Sequence, residues 1–427
     1  MNDELLQPPK GFRDYPPEEA VVRRKILSVI EGEFKNYGFL PMQTSSIQNQ
    51  SVLTGKFANS EDTDVFNEIY LFEDRGGRKL GLRYDLTVPL GRILASNPKM
   101  SLPFKRYEIG TVWRDGPVKT GRLREFTQCD ADIIGVEGSV AEAELFALAQ
   151  SVFAKLGVKF RIEFGNRKVL ESLLQYCGIN DRKAMITIDK LKKIGVSGVE
   201  EELKQREVNS ESIGKLRKYL DLKGVEALQE IKKIVKDESG LKGVSEVEEL
   251  IKYCEELEIS NAEFTPSLAR GLDYYTGNVF EFFLVESEVT SSIGGGGRYE
   301  NLVKNFGGRQ VTATGMAFGL DVLFEALKKE KQEPQVRVMV IPIKNFNKTL
   351  RITKALRDNG IPSITDYSGK SLSKNLDYAS RQGIPFTIIA GEQELKENKI
   401  VLRNMKTGEE KKVSVKEAVD ILKNFQS

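Results

Sequence analysis

The sequence predicts an α+β protein, in which an antiparallel sheet domain is interrupted by a helical insertion and followed by a small α/β domain. Three strand-like runs of alternating polarity occur between residues 80 and 134. Residues 167–262 are rich in Lys, Glu and Leu at helical spacing and have few aromatic residues. After the charged break KKEKQEPQ, short apolar runs alternate with helical segments. We therefore expect separate core, insertion and tail segments.

Composition excludes several classes of function. The chain has 427 residues, a formal net charge of +2 and no histidine. Any nucleic acid must therefore be bound by local basic patches, and mechanisms that need a His base, a Ser-His-Asp triad or an HExxH zinc site are excluded. Three widely spaced cysteines without a CxxC pair indicate core residues, not a disulfide framework or a zinc knuckle.

The first segments have no features of membrane targeting. MNDELLQPPK lacks the layout of a signal peptide, and no run of the chain reaches the roughly 18 apolar residues of a membrane span. The sequence therefore predicts a cytoplasmic protein without a membrane partner.

The first predicted element is a helix in PPEEAVVRRKILSVIEGEFKNYG. Prolines and acids open it, Val22, Ile26 and Ile30 repeat at i+4, and Gly38 can end it. FLPMQTSSI then reads as a strand, and Pro41 places that strand at an edge or an interface because proline has no N–H donor.

Three runs follow as predicted strands: LGLRYDLTVPL, FKRYEIGTVWRD and EFTQCDADIIG. The last two flank the basic loop GPVKTGRLR, which indicates an antiparallel hairpin. Alternation places a polar set on one face of the third run, namely Phe126, Gln128, Asp130 and Asp132. In the first run, the same rule groups Arg83, Asp85 and Thr87. A solvated face alternates in the same way, but short acids and amides favour a face that binds a cationic or amino-bearing ligand.

A helix over 138–156 and a strand over 158–164 precede the insertion, and SLARGLDYYTGNVFEF (267–282) follows it. This segment could be a bent core strand whose tyrosine hydroxyls are satisfied internally. It could also line a pocket, because Arg270 and Arg114, which ends the second predicted strand, would bring two guanidinium groups to one phosphate.

Neither common nucleotide-binding motif is present. GGGG at 294–297 lacks the spacing of a Rossmann fingerprint, and Ile364 stands where a P-loop ending at GKS (369–371) needs its first glycine. The glycine run indicates a bulge, a tight turn or a close approach of a ligand to the backbone. From the residues alone, the chain is an antiparallel-sheet protein that binds a phosphorylated, amino-bearing ligand.

The tail reads as a small α/β domain. The strand-like runs VRVMVIPI, IPSITDY and PFTIIAG and two further short strands alternate with helices over 347–359 and 371–382 and a final helix.

Several motifs carry a resemblance to a known family. RYEIGTVWRDGPVKTGRLREFTQCDADIIG is similar to motif 2 of class II aminoacyl-tRNA synthetases, and LARGLDYYTG closely resembles the signature of histidyl-tRNA synthetases. KGFRDYPPEE, LRYDLTVP, GGGGRYENL and SLSKNLDYASRQGIPFTIIAG are also similar to that family, particularly to its archaeal and eukaryotic branch. The resemblance spans nearly the whole chain.

The resemblance implies a class II synthetase fold and an α/β anticodon-binding domain. It divides the chain into a catalytic domain in two parts, a helical insertion and the anticodon-binding domain, with bounds at 1–166, 167–262, 263–330 and 335–427. It also implies a homodimer that forms through the motif 1 helix and strand near 17–45.

The resemblance assigns roles residue by residue. Arg114 and Arg270 match the catalytic arginines at the ATP α-phosphate, and Glu125 and Phe126 match the residues that hold adenine. A second set matches the residues that bind histidine: Asp85, Thr87 and Gln128 at the α-amino group, Asp132 and Tyr275 at the ring nitrogens, and Tyr274 and Tyr299 in the pocket wall.

The implied reaction is the formation of histidyl-adenylate and pyrophosphate from histidine and ATP, followed by transfer of histidine to the 3′ end of tRNA(His). The substrate carboxylate attacks the α-phosphorus in line, so the step needs positioning and positive charge from arginines and Mg²⁺, not a strong base. Contacts to both ring nitrogens allow discrimination by about 10⁴ or more, which makes an editing domain unnecessary.

One position departs from the family pattern. GLDVL places Val322 where motif 3 of the family has an arginine that covers adenine and reaches the γ-phosphate. We expect a functional synthetase with altered ATP handling, in which Arg298 or Arg309 could compensate.

Two other functions stay open. The first is a silent paralogue such as the histidine-sensing regulatory subunit of ATP phosphoribosyltransferase, and the second is a tRNA-binding sensor without chemistry. The intact Arg114 and Arg270 favour the synthetase. The absence of histidine would then let the chain be translated during histidine starvation, and uniformly low His content in other long proteins of the same organism would contradict that hypothesis.

Overall fold

The computed structural model describes residues 5–54, 67–181, 184–270, 275–329, 334–344 and 346–425. The chain forms two compact units, Met1–Lys329 and Glu330–Ser427. Tyr274, a predicted pocket residue, lies outside the described residues.

The strands of the first unit are β1 (Leu40–Pro41), β2 (Ile47–Asn49), β3 (Leu71–Glu73), β4 (Lys79–Leu82), β5 (Phe104–Trp113), β6 (Glu125–Ile134), β7 (Phe160–Asn166), β8 (Ala262–Phe264), β9 (Tyr275–Leu284), β10 (Gly294–Tyr299) and β11 (Ala313–Gly319). Its helices are α1 (Pro17–Asn36), α2 (Gln50–Thr54), α3 (Thr87–Ser96), α4 (Val140–Lys155), α5 (Arg167–Tyr176), α6 (Ala184–Asp189), α7 (Leu191–Gln205), α8 (Ser210–Leu220), α9 (Gly224–Ile234), α10 (Glu238–Glu256), α11 (Leu302–Asn305) and α12 (Leu320–Leu327).

Within the described ranges, eight strands form the main sheet in the order β1-β5-β6-β11-β10-β9-β7-β8. All neighbours are antiparallel except the outermost pairs, β1–β5 and β7–β8. The predicted antiparallel sheet and the β5–β6 hairpin are therefore confirmed, with a register from Phe104↔Ile134 to Trp113↔Glu125. The predicted edge position of Pro41 is also confirmed, since β1 borders the sheet with two residues.

Helices α1 and α4 cover one face of this sheet. The predicted apolar stripe of α1 is buried, and α4 contributes Phe146 and Phe153, whose rings meet those of Phe280 and Phe318 at centroid distances of 4.9 and 5.4 Å. Tilted and edge-on aromatic pairs of this kind stabilise a core beyond the area that they bury. All three cysteines are buried in it or beside it, as predicted.

The predicted strand over 80–90 is wrong beyond Leu82. The chain leaves β4, and Thr87 begins helix α3. The Asp85 carboxylate accepts a hydrogen bond from the Val88 N–H at 3.0 Å, and Pro89 is tolerated because the first turn of a helix needs no N–H at that position. The strand-face grouping of Arg83 with Asp85 and Thr87 is therefore also wrong.

The described residues between 167 and 256 form helices α5–α10, in agreement with the predicted helical character. Their apolar residues belong to the same continuous core as those of the sheet. The start of the helical segment is well defined because Asn166 caps α5, accepting from the Lys168 N–H at 3.0 Å.

The second unit contains β12 (Val338–Pro342), α13 (Phe346–Asp358), β13 (Ser363–Thr365), α14 (Leu372–Arg381), β14 (Phe386–Ala390), α15 (Glu392–Lys396), β15 (Ile400–Asn404), β16 (Glu410–Val413) and α16 (Val415–Asn424). Its sheet has the order β13-β12-β14-β15-β16, with parallel pairs among the first three strands and antiparallel pairs at β14–β15 and β15–β16. The predicted α/β tail is confirmed.

Candidate active site

The polar face of β6 lines a cavity of about 290 Å³ in the first unit. Cys129, Ala131 and Ile133 point into the core, whereas Gln128, Asp130 and Asp132 border the cavity. The predicted alternation of β6 is therefore confirmed. Asp130 and Asp132 are only 3% and 2% exposed, so this face of the sheet is not an ordinary solvated one.

Most of the predicted site residues meet at this cavity. Its walls include Asp85, Thr87, Arg114, Gln128, Asp132, Arg270, Tyr275 and Tyr299. Glu125 and Phe126 are not part of its lining but belong to the start of the same strand, β6. Asp85 reaches the cavity from the segment just before α3 and Thr87 from the first residue of α3, not from a strand, so their predicted proximity holds for a different structural reason.

Arg114 and Arg270 are both fixed at the cavity wall by backbone contacts. Arg114 Nε donates to the Tyr84 carbonyl oxygen at 2.9 Å, and its guanidinium lies 5.3 Å from the centre of the Phe126 ring. Arg270 Nη1 donates to the Phe280 carbonyl oxygen at 2.8 Å. Two positioned guanidinium groups at one cavity are suited to bind a phosphate.

The glycine run forms strand β10, and two of its members make room for site residues. A Cβ at Gly295 would lie 2.0 Å from Arg270 Nη1, and a Cβ at Gly297 would lie 2.8 Å from the Tyr275 ring. The run therefore provides close approach for side chains, and the strand also carries a register irregularity between Gly297 and Tyr299.

Asp132 is held from two sides. The Tyr299 hydroxyl donates to Asp132 Oδ1 at 2.6 Å, and Arg106 Nη2 lies 2.7 Å from Asp132 Oδ2. Burial raises the pKa of Asp132 above its ordinary value, while Arg106 and then Tyr299 oppose that rise. Gly315 permits this arrangement, because a Cβ there would lie 2.0 Å from Asp132 Oδ1.

Asp85 is a buried carboxyl group. Among the described residues its Oδ2 has no hydrogen-bond partner, and burial raises the pKa of Asp85 to about 6, against opposing contributions from the Val88 N–H and Arg114. Such a group would bind an ammonium ion well, because the ligand would supply the missing counter-charge.

We expect Asp85→Asn to stabilise the unliganded protein at neutral pH. In the folded chain Asp85 takes up its proton near pH 6, above the unfolded value of about 4, so its ionisation destabilises the fold as pH rises through this window. Asparagine keeps the cap and removes that cost, which is on the order of 2 to 3 kcal/mol at pH 7. Urea unfolding should show a higher free energy of unfolding for Asp85→Asn than for the wild type at pH 7.5, and no such difference below a pH of about 4. An equal gain at both pH values would contradict the raised pKa of Asp85.

Several cavity residues were not among the predicted site residues. Arg122 reaches the wall from the loop between β5 and β6, Asp189 from α6 and Glu281 from β9. Glu281 follows the alternation of β9 and could have been found from it. Asp189 could not, because nothing in the sequence shows which insertion helix borders the sheet.

The suggestion that Arg298 compensates for Val322 is wrong. The Arg298 guanidinium is buried against Glu142, at 2.7 Å, and donates to Thr312 Oγ1 at 2.8 Å. Arg309 is exposed and does not line the cavity. Val322 is partly buried against the core, and a Cβ at Gly121, beside Arg122, would lie 3.2 Å from its Cα.

Within the described ranges, no group of three or more Cys, Asp or Glu side chains is placed to hold a metal ion. No helix of those ranges is long and apolar enough to cross a membrane.

Comparisons with known proteins agree on one family. The sequence model described as Histidyl-tRNA synthetase matches residues 11–323, and the one described as Anticodon binding domain matches residues 335–425. Histidine-tRNA ligase 1 of Bacillus cereus is 39% identical over 95% of this chain and 97% of its own length. The crystal structure of histidyl-tRNA synthetase from Nostoc sp. PCC 7120 superimposes with a TM-score of 0.85 at 29% identity, covering 98% of each chain.

A third match concerns the fold alone. A Bacillus halodurans structure, titled as an ATP phosphoribosyltransferase regulatory subunit/histidyl-tRNA synthetase, has a TM-score of 0.74 at 24% identity, with 88% of this chain and 96% of the other covered. These relatives are bacterial, so they give no support to the archaeal and eukaryotic branch that the motifs suggested.

Proposed function

The chain belongs to the histidyl-tRNA synthetase family and is a histidine-tRNA ligase, and we propose that its cavity binds histidine and ATP side by side. There the protein forms histidyl-adenylate and pyrophosphate and then transfers histidine to the 3′ end of tRNA(His). The observation that carries this proposal is that carboxylates, tyrosines and three arginines line one cavity.

The acidic side of the cavity would bind histidine. Asp85, Thr87 and Gln128 line the cavity and would receive the α-amino group, because a buried carboxylate whose second oxygen has no hydrogen-bond partner among the described residues favours an ammonium partner. Asp132 and Tyr275 border the same space and would bind the two ring nitrogens, with Tyr299 behind Asp132. Tyr274 stays a sequence-based proposal.

The part of the cavity that carries Arg114 and Arg270 would bind ATP. Arg114 and Arg270 would contact the α-phosphate, while Glu125 and Phe126 would hold adenine at the start of β6. Both arginines would stabilise the charge that develops as the carboxylate attacks and pyrophosphate leaves. Mg²⁺ would arrive with ATP, because it prefers phosphate oxygens and water supplemented by one or two carboxylates over a protein-only cage. The bound ion would neutralise phosphate charge.

An aminoacylation assay with histidine, ATP and bulk tRNA tests the proposal. Charging of tRNA(His) and histidine-dependent pyrophosphate exchange are expected. Histidine binding without exchange would favour the regulatory paralogue, and tRNA binding without exchange would favour the sensor. Arg114 and Arg270 at one cavity argue against both alternatives.

We further propose that Arg122 supplies the charge that Val322 does not. Arg122→Gln should raise the KM for ATP about 10-fold, as expected for one lost charged hydrogen bond. Lys119→Gln, an exposed change in the same loop, is the matched control and should leave that KM unchanged. Val322→Arg should not lower the KM, because the loop at Gly121 packs closely on this position. A clear improvement in ATP affinity with Val322→Arg would show that Arg122 does not replace the charge that Val322 lacks.

A homodimer is part of the same proposal. Strands β2 and β3 leave Ile47 and Phe72 exposed, at 46% and 41%, on one face of a small three-stranded sheet within the described residues. Exposed apolar faces of this kind suit an interface between copies. A monomer in sedimentation experiments would contradict it.

The remaining assignments follow from the activity. We propose that residues 335–427 bind the anticodon arm, that 167–262 form an insertion domain of the 1–166 and 263–330 catalytic body, and that the protein works in the cytoplasm. The match of the anticodon-binding model to residues 335–425 supports the first of these. Deletion of the second unit should abolish tRNA charging and spare pyrophosphate exchange; retained charging would contradict that assignment.

A further inference from the structure

Arg106 is a fully buried arginine directly beside Asp132 of the proposed histidine pocket. It lies on β5 with 0% exposure, opposite Asp132 in the register of the β5–β6 hairpin. Its Nη2 is 2.7 Å from Asp132 Oδ2 and donates to the Leu86 carbonyl oxygen at 3.1 Å. Arg106 does not line the cavity, whereas Asp132 does. The guanidinium therefore reaches a ligand only through Asp132.

The surroundings of Arg106 are strongly acidic. Glu108 on β5 lies 3.7 Å from Arg106 Nη1, Asp130 shares the face of β6 with Asp132, and Asp85 faces the group from the segment before α3. Tyr299 approaches Asp132 from β10, and Arg83 pairs with Glu108 at 2.8 Å. A buried ion pair is a poor source of stability compared with apolar packing, so stability alone does not account for this cluster.

The ring of histidine requires a particular protonation state of Asp132. A neutral imidazole has one N–H donor and one acceptor nitrogen. An ionised carboxylate accepts from the N–H, while a protonated one offers a competing donor. Burial favours the protonated form of Asp132, and Arg106 is the largest influence that opposes it, followed by Tyr299.

We propose that Arg106 is a positioning residue that keeps Asp132 ionised and oriented, so that the cavity reads a ring N–H of histidine. This rests on the proposed function, since it deepens the histidine site. Arg106 also balances the charge of Asp132, so this ion pair presents a hydrogen-bond acceptor and adds no net charge of its own. The acceptor is thereby suited to the neutral imidazole that predominates at neutral pH.

The test compares Arg106→Gln with the wild type by histidine-dependent pyrophosphate exchange at pH 7.0 and 8.5. At pH 7.0 the KM of the variant for histidine should be roughly 30 times that of the wild type. This ratio of KM values should be at least threefold smaller at pH 8.5, because the higher pH restores the Asp132 carboxylate. Both proteins bind the same substrate, so the titration of histidine itself cancels in the ratio. The KM for ATP should stay within twofold. A pH-independent ratio, or an unchanged KM for histidine, would overturn the proposal.

Two further variants separate ionisation from packing. Arg106→Lys keeps the charge and should give a smaller ratio that does not change with pH. In a double-mutant cycle, Arg106→Gln should add no loss to Asp132→Asn, because both act on the same contact. If Arg106→Gln does not fold by circular dichroism, Tyr299→Phe removes the second group that favours the ionised carboxylate. The KM ratio of Tyr299→Phe to wild type must then fall at pH 8.5 in the same way. A ratio that is equal at pH 7.0 and 8.5 would overturn the inference.

The outcomes also distinguish this inference from the proposed function. A wild-type chain without histidine-dependent exchange would contradict the proposed function itself. Normal exchange by the wild type, together with an Arg106→Gln to wild-type KM ratio that does not change with pH, would contradict only the role of Arg106.

Discussion

Arg270→Gln should lower the rate of adenylate formation about 1,000-fold, by analogy with the loss of one preorganised charged donor at a transition state. Arg270 is fixed by the Phe280 carbonyl oxygen and reaches the cavity over Gly295, where no side chain intervenes. Its positive charge stabilises the pentacoordinate transition state at phosphorus more than it stabilises the ground state. The kcat should therefore fall, while the Kd for histidine changes less than threefold. Single-turnover formation of histidyl-adenylate and calorimetric titration of histidine measure the two quantities.

Arg309→Gln is the matched control. It makes the same chemical change at an exposed arginine away from the cavity and should leave both quantities unchanged. If Arg270→Gln weakened histidine binding as strongly as it slowed exchange, Arg270 would be a binding group and not a group that acts on the transition state.

Gly315→Ala should raise the KM for histidine about 100-fold with little change in the KM for ATP. The added Cβ would lie 2.0 Å from Asp132 Oδ1, and the nearest atom outside Asp132 is 3.5 Å away, so the carboxylate must move while the strand stays in place. That oxygen accepts from Tyr299, so the displacement breaks the hydrogen bond and turns the acceptor away from the ring. Steady-state exchange at varied histidine and ATP measures the effect.

Gly214→Ala provides the control for a glycine-to-alanine change. Gly214 is exposed in α8 with nothing near its Cβ position, so alanine should stabilise the helix by about 0.5 to 1 kcal/mol and leave both KM values unchanged. A Gly315→Ala variant with normal histidine affinity would show that Asp132 does not bind the ring.

The placement of β6 in the site was predictable because a strand has a period of two. Once EFTQCDADIIG was recognised as a strand, its apolar side chains had to face one way and Gln128, Asp130 and Asp132 the other. The antiparallel hairpin with FKRYEIGTVWRD was equally predictable from the turn-rich basic loop. Pairing in the hairpin also sets Arg106 opposite Asp132, but this register depends on the geometry of a long loop, which residue spacing does not specify.

The strand predicted over 80–90 failed because alternation alone does not exclude the first turn of a helix. Asp85 forms a side-chain cap on the Val88 N–H, and this local bond competes with strand pairing. A capping acid followed by Pro89 in the first turn was the signal that would have corrected the prediction.

Local pattern and composition by themselves determined most of the helices, the two faces of β6, the α/β tail and the exclusion of mechanisms that need a histidine side chain of the protein, because these depend on residue spacing and residue type. Tertiary structure alone decided that Arg270 lies over Gly295, that Arg106 stands behind Asp132, and that Asp189 of an insertion helix borders the cavity. These contacts join residues 25 or more positions apart, and their distances follow from strand order and packing, which no local periodicity encodes.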